Sequence, residues 1–417
     1  MKSYSQALKI LKKSKISFND DYIKTSMCLN RVCAINIFSK TYLPAANNSA
    51  FDGYAINSKD TKKLSSKNGK LFKVLGLISA GTKPKSMKIK KFETFEIMTG
   101  GIIPKGFDAI IPKERISFYL KKKNTKFILI KEKILKNKNI RFKGSDYKKN
   151  DLLIKKGTIL NSNHILALKA LGIEYLKVKK IPNILFFSTG NEISNKKKVP
   201  LWKVRNSNSH YIQSVSKNFL FNFKYGGNLN DKNENLFTKK LNKFLNSKID
   251  IIITSGAVSA GKFDYVPNVI KRFKLFAYFK NIAIRPGKPI LFAKFKGKQK
   301  AIFGLPGNPI SSVACFRFFV YPYLQESLNM KAEKSIKAVL KNNFSKDKKF
   351  TRFVKSRANT TKNGKFEVEI LKGQESYKIQ PFVKSNIWTI LPSGKSKFKK
   401  NEIVDCFFSN HPGKILI

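Results

Sequence analysis

Between residues 181 and 328, short continuous apolar runs alternate with segments of helical period, and each run ends in a loop of glycine and small polar residues. Asn183 to Phe187 runs into Ser188-Thr189-Gly190-Asn191-Glu192, and Ile249 to Ile253 into Thr254-Ser255-Gly256. Ala301 to Phe303 runs into Gly304-Leu305-Pro306-Gly307-Asn308-Pro309. Runs this short and this apolar predict strands buried on both faces. Helices are expected over Tyr211 to Phe223, over Leu236 to Leu245, and from Pro309 to about Leu324. Strands alternating with helices imply a parallel, doubly wound sheet. Loops that follow the strands then gather at one sheet edge, where ligands bind in such folds.

The flanking regions read differently. Ser3 and Gln6 predict a capping box opening an N-terminal helix, with Tyr4, Ala7, Leu8 and Leu11 on one face. A second apolar segment covers Met27 to Phe38. From about 60 to 146, Leu71 to Leu75, Phe92 to Met98, Ala109 to Ile111 and Phe127 to Ile130 alternate with Lys, Gly and Asn, which is β-rich. Within it, Met98 to Ala109 reads as a long ordered loop. Ile165 to Leu171 predicts a short helix stopped by Gly172. Beyond Met330, Phe350 to Val354 and Phe366 to Ile370 flank an Asn363-Gly364 turn, as in a small all-β domain.

Composition removes several function classes. With 417 residues, about two to four domains are expected. No apolar run approaches the ~18 residues of a membrane span, and Met1 to Lys15 lacks a signal-peptide core. A cytoplasmic protein with no membrane partner is the expectation. Cys28, Cys33, Cys315 and Cys406 match no zinc or redox spacing, and Cys28 and Cys33, in a mixed apolar stretch, read as reduced filler residues. Three histidines make histidine catalysis an unpromising reading. The net charge of +59, from 84 Lys+Arg against 25 Asp+Glu, raises the question of nucleic acid. The lysines are spread along the whole chain, however, and Phe and Ile are over-used alongside them. A biased residue vocabulary accounts for that pattern, so salt-sensitive sticking to polyanions is expected and no specific nucleic-acid partner.

The loops carry the chemistry. Ser255 to Asp264 places Gly256, Gly261 and Lys262 at P-loop spacing, but Phe263 stands where a magnesium-binding hydroxyl is needed, which excludes ordinary P-loop NTPase chemistry. Its amides can still cradle a phosphate, with Asp264 placed to hold Mg²⁺ against it. Asn308 and Pro309 suit an N-cap and first helical turn. Arg285-Pro286-Gly287-Lys288-Pro289 adds two cations on a stiff turn. A nucleophile elbow is absent, because Ala257 occupies its first glycine.

Taken in order, the segments Asn48 to Ala55, Met98-Thr99-Gly100 with Pro104, Gly106, Asp108 and Ala109, Asn139 to Arg141, Ser188 to Glu192, Val204 to Asn208, Thr254 to Tyr265, Pro286 to Pro289 and Gly304 to Ser311 resemble the molybdopterin molybdenumtransferase (MoeA and gephyrin E-domain) family. The resemblance spans nearly the whole chain. It implies a multi-domain α/β protein with an elongated linking domain (1–45 and 147–180, its first helix packing on the α/β domain), an inserted β-rich domain (46–146), a three-layer α/β/α molybdopterin-binding domain (181–328) and a C-terminal β-barrel (332–417). It implies Mg²⁺-assisted insertion of molybdate into adenylylated molybdopterin, with release of AMP.

By the same resemblance, Asp231, Asp264 and Glu192 are the magnesium and phosphate-side carboxylates. Lys288, Ser311, Arg352 and Ser376 face molybdate. Ser255, Gly256, Ser259, Gly261, Thr189, Gly190, Pro306, Gly307 and Pro309 line the molybdopterin site. Asp52, Thr99, Arg141 and Asp146 come from the second subunit of a homodimer with shared active sites, and a molybdopterin adenylyltransferase is a further possible partner. The sequence departs from the family pattern at Phe51 (usually Met), Ser145 (Glu), Asn206 (Asp), Ala257 (Gly) and Arg285 (Lys). An adenylyltransferase-like enzyme, or a catalytically weakened scaffold or polyanion-binding protein of the same fold, are the alternatives.

Overall fold

The computed structural model describes residues 1–83, 87–122, 125–217, 221–230, 234–258 and 265–409. They divide into two compact units: Met1–Ile35, Lys156–Asn161 and Leu176–Ile417 form one, and Asn36–Lys155 with Ser162–Tyr175 the other.

The larger unit is organised by a six-stranded sheet ordered Asn222–Leu229, Asn183–Thr189, Ile251–Ser255, Ala301–Leu305, Leu291–Phe295, Leu275–Lys280. The first four strands are mutually parallel. Alternation of side chains across the pleat builds two cores. Ile251 and Ile253 face one with Phe186, Phe303 and Ile212. Ile252 faces the other with Phe187, Ile302 and helix residues Phe237, Leu241, Val269 and Ile270. A sheet covered on both faces by helices is the expected three-layer arrangement. The N-terminal helix Tyr4–Lys13 opens with the capping box: the Ser3 hydroxyl accepts from Gln6 N at 3.2 Å, and Gln6 Oε1 accepts from Ser3 N at 2.8 Å. Its Ala7 and Leu11 are buried in the first core, with Tyr4 and Leu8 against it.

Three features depart from the sequence expectations. The sheet is mixed, because Leu291–Phe295 runs antiparallel to both neighbours. Helix Ser207–Ser216 stops short of Phe223, which lies instead in edge strand Asn222–Leu229. That strand has only one neighbour, so it carries no continuous apolar run. Its Gly226 leaves room for the Phe187 ring, which a Cβ there would meet at 2.3 Å. The helix after Pro309 continues to Ser327 through a π-helical stretch, Phe316–Val320.

The same unit ends in a closed five-stranded barrel. Thr351–Thr360, Phe366–Ile370, Ile336–Leu340, Ile403–Phe408 and Ile387–Leu391 pair in turn, and Thr351–Thr360 closes it against Ile387–Leu391. Gly364, at φ +73°, makes the expected turn between the first two. Strand Ile284–Arg285 adds to the barrel in parallel, with Arg285 opposite Arg352.

The smaller unit holds a curled six-stranded sheet, ordered Ala109–Pro112, Gly53–Ile56, Glu93–Ile97, Lys70–Ile78, Thr125–Ile130, Ser117–Lys122. Its helix Ser162–Ala170 ends before Gly172 at φ +71°. Among the described residues no helix is long and apolar enough to cross a membrane. All four cysteines are free and buried.

Candidate active site

A cleft of about 1150 Å³ opens where the carboxyl ends of Asn183–Thr189, Ile251–Ser255 and Ala301–Leu305 meet the barrel. Glycine geometry shapes its floor. Gly256, at φ +100°, packs on Thr189, whose carbonyl oxygen a Cβ would meet at 2.5 Å. Ala257 follows at φ +52°, a left-handed conformation that costs a residue with a Cβ about 1–2 kcal/mol. Gly287, at φ +103°, lies against Cys315, whose sulfur a Cβ would meet at 2.4 Å, so the Arg285–Pro289 turn sits hard against the helix from Pro309.

Side chains lock these loops to one another. The Asn208 amide donates to Ser255 Oγ at 2.7 Å and to the Gly307 carbonyl at 2.8 Å. Asn206 caps helix Ser207–Ser216. It also accepts from Ser188 Oγ at 3.0 Å and donates to Asn195 and the Tyr225 hydroxyl. Where the family usually carries a carboxylate, this chain therefore carries an amide that donates and accepts within a polar network. Thr189 is buried, and its hydroxyl donates to the Ser255 carbonyl at 2.9 Å, strutting two strands from inside. Asn308 holds the N-cap position, but its side chain makes no capping bond and donates instead to Ser376 Oγ at 3.0 Å.

The cations come from the α/β–barrel junction. Arg285, Lys288 and Arg352 line the cleft together with Arg205. Backbone pairing sets Arg285 beside Arg352. Burial, reinforced by Arg285, draws the Arg352 guanidinium below its usual range, with Glu375 opposing. Phenylalanine rings support both arginines: Arg285 over Phe350 at 4.4 Å and Arg352 over Phe344 at 5.6 Å. Arg352 is half-buried while Arg285 and Lys288 are exposed, and a paired set of cations of this kind has the charge to suit a multiply charged anion.

Of the residues singled out from the sequence, Glu192, Ser255, Gly256, Lys288, Pro306, Gly307, Pro309, Ser311, Arg352 and Ser376 line this one cleft. Gly190 lies just behind it, under the Glu192 carboxylate. Asp231, Ser259, Gly261 and Asp264 lie outside the described residues. Thr189, expected to line the site, does not: it is buried beneath the cleft, with its hydroxyl bonded to the Ser255 carbonyl. Asp52, Thr99, Arg141 and Asp146 belong to the smaller unit. Asp52 Oδ1 accepts from both the amide and the hydroxyl of Thr99, at 2.7 and 2.8 Å, and these bonds hold its carboxyl below the usual range. Arg141 is exposed on strand Ile140–Arg141, its guanidinium 3.4 Å from the Ala50 carbonyl. Asp146 is exposed on a turn anchored by its own amide to the Leu43 carbonyl. Sequence reasoning missed Asn208, Arg205, Asn308, Gln374 and Glu375 as cleft residues. Arg205, Asn208 and Asn308 lie in segments the sequence had singled out, Asn208 as the second residue of helix Ser207–Ser216, whereas Gln374 and Glu375 carried no signal.

Family models match the chain in order: the MoeA N-terminal region (domains I and II) over residues 2–172, a probable molybdopterin binding domain over 186–326, and the MoeA C-terminal region (domain IV) over 337–407. A molybdopterin molybdenumtransferase of Staphylococcus aureus (strain COL) is 32% identical over 381 residues, covering 90% of this chain and 88% of that protein. One from Staphylococcus epidermidis (strain RP62A) is 30% identical over 410 residues, covering 97% and 94%. Among solved structures, the molybdopterin biosynthesis moeA protein of Pyrococcus horikoshii OT3 superposes with a TM-score of 0.82 at 25% identity, covering 98% of this chain and all of that one.

Proposed function

This chain belongs to the molybdopterin molybdenumtransferase family, and from that premise we propose that it inserts molybdate into adenylylated molybdopterin, cleaving the pyrophosphate link and releasing AMP. The observation that carries the reading is the pairing of Arg285 with Arg352 beside Lys288, opposite a glycine-shaped strand-exit loop, in one cleft. The two sides suit the two reactants. The two ring-supported guanidinium groups and the Lys288 ammonium, with the hydroxyls of Ser311 and Ser376, favour a tetrahedral dianion. The Gly256 loop, with the Asn208–Ser255 bridge, offers a preformed polar surface for the phosphate-bearing substrate.

Glu192 supplies a hard, exposed carboxylate oxygen at the cleft, the donor type that Mg²⁺ takes. Among the described residues no group of three His, Cys, Asp or Glu is placed to hold a metal ion. By the family resemblance, Glu192 would hold Mg²⁺ together with Asp231 and Asp264, which lie outside the described residues. When bound, the ion supplies neutralisation of pyrophosphate charge.

The Asp52–Thr99 clip and Arg141 lie in the smaller unit, and we assign them, with Asp146, to the neighbouring active site of a homodimer. A cytoplasmic location and a functional encounter with a molybdopterin adenylyltransferase, which supplies the adenylylated substrate, belong to the same proposal. An adenylyltransferase-like activity would leave the cation pair at the barrel junction without a task.

The test is reconstitution with full-length protein, adenylylated molybdopterin, Mg²⁺ and molybdate. AMP release matched by cofactor formation is expected, and Asp264→Asn should abolish both in a folded protein. AMP release that does not depend on molybdate would refute the reaction assigned here.

A further inference from the structure

The loop Gly373–Ile379 carries Ser376 into the cleft, and its own sequence supplies only Gly373 at φ +79° and a Glu375–Lys378 turn to shape it. It lies between barrel strand Phe366–Ile370 and helix Gln380–Lys384. What holds it is Lys355, on the neighbouring strand Thr351–Thr360, a lysine only 1% exposed. Its ammonium donates to the carbonyls of Gly373, Glu375 and Lys378 at 2.7, 3.1 and 3.1 Å. An ammonium has three donors, and here each has a backbone acceptor. The Lys355 backbone makes a second attachment: its amide donates to Gln374 Oε1 at 2.9 Å, and its carbonyl accepts from Gln374 Nε2 at 2.8 Å and from Leu371 N at 3.1 Å. From this anchor the loop reaches the α/β domain, where the Ser376 carbonyl accepts from Ile310 N and the Ser376 hydroxyl from Asn308.

We propose that Lys355 is a positioning residue: its buried ammonium acts as an internal cation that gathers three carbonyls, fixes the Gly373–Ile379 loop, and thereby sets Ser376 at the oxyanion side of the cleft. Lys355 itself does not line the cleft. The statement about molybdate rests on the function proposed above, while the statement about the loop does not. Burial draws the ammonium down to about 8, opposed by the Glu375 carboxylate and assisted by Arg352 and Lys378. Loss of that proton removes a donor from the cage.

Lys355→Met keeps the stem and removes the ammonium. In the full-length protein, amide hydrogen exchange over Gly373–Ile379 should accelerate by about tenfold or more, with strand Ile387–Leu391 unchanged. The dissociation constant for molybdate alone should rise about tenfold. In the wild type, that constant should also rise with pH through about 8, and in Lys355→Met this dependence should vanish. Unchanged exchange in the loop would overturn the proposal, as would a loosened loop with unaltered molybdate affinity. If Lys355→Met does not fold, Gln374→Ala removes the two Gln374 bonds of the second attachment while keeping the ammonium and the Leu371 bond. It should give a smaller rise in both readouts, and no change in either would be equally fatal. Failure of the wild type to bind molybdate would defeat the functional reading, and loop exchange would still decide the role of Lys355.

Discussion

The two walls of the cleft are made by different means. On the α/β side, the backbone itself is the device: Gly256, Gly287, Pro306 and Pro309 set turns that leave little freedom, and the side chains that lock them, Asn208 and Thr189, reach only to adjacent loops. On the barrel side, the loop bearing Ser376 has one glycine at its start and is shaped by a buried lysine from another strand. A wall made by turn geometry tolerates loss of any one side chain. A wall that hangs on one buried side chain fails when that side chain is removed.

The largest effect should therefore come from the barrel junction. Arg317 Nη2 donates to both carboxylate oxygens of Glu333 at 2.7 Å, the two side chains being 5% and 11% exposed, and Arg317 Nε also donates to the Phe408 carbonyl. Glu333→Ala leaves that guanidinium buried without a counter-charge and should destabilise by about 3–5 kcal/mol. Denaturation followed by the fluorescence of buried Trp388 measures this, and a loss below about 1 kcal/mol would show that the junction does not depend on this pair. Next, Arg352→Ala should lower kcat/KM for molybdate by about 10²–10³, the cost of removing one fixed electrostatic donor. A purely structural role would instead show as a fall in melting temperature.

On the α/β wall, effects should be shallower. Asn208→Ala breaks the bridge between Ser255 and Gly307, and should cost about 1–2 kcal/mol of substrate affinity while leaving the fold intact. Ala257→Gly should stabilise the protein by about 1 kcal/mol, because it releases a left-handed alanine. Destabilisation there would show that neighbours, not the backbone angle, hold the loop. The smallest effect is a titration in the other unit. Thr99 lowers the Asp52 carboxyl, so the clip is intact above the ordinary carboxylate range and is lost as pH falls through the depressed value. Thr99→Val should move the Asp52 titration upward, as read by NMR.

The same contrast decides what could be read from the sequence. Strands buried on both faces, glycine loops behind them and a capping box at Ser3 are local signals, and each appears where expected. Asn222–Leu229 was hidden because an edge strand needs no continuous apolar run. Leu291–Phe295 is buried throughout, yet nothing local tells that it runs antiparallel. The Lys355 cage was illegible for a sharper reason: one more lysine among 84 Lys and Arg carries no sign that its ammonium is buried. Asn308 misled at the level of the side chain, because an asparagine at a helix start usually caps it, and here a barrel serine competes for its amide.

Strand Thr351–Thr360 has a further consequence. Phe366–Ile370 pairs with it only from Ser356 to Thr360, which would leave the preceding residues as an open backbone edge. Ile284–Arg285 covers Thr351 and Arg352, while Leu371 and the Gln374 amide cover Lys355. An uncovered edge of this kind templates pairing with another chain. The groups that shape the cleft thus also cover this edge, and a variant that loosens the loop by removing the Gln374 bonds would uncover part of it as well.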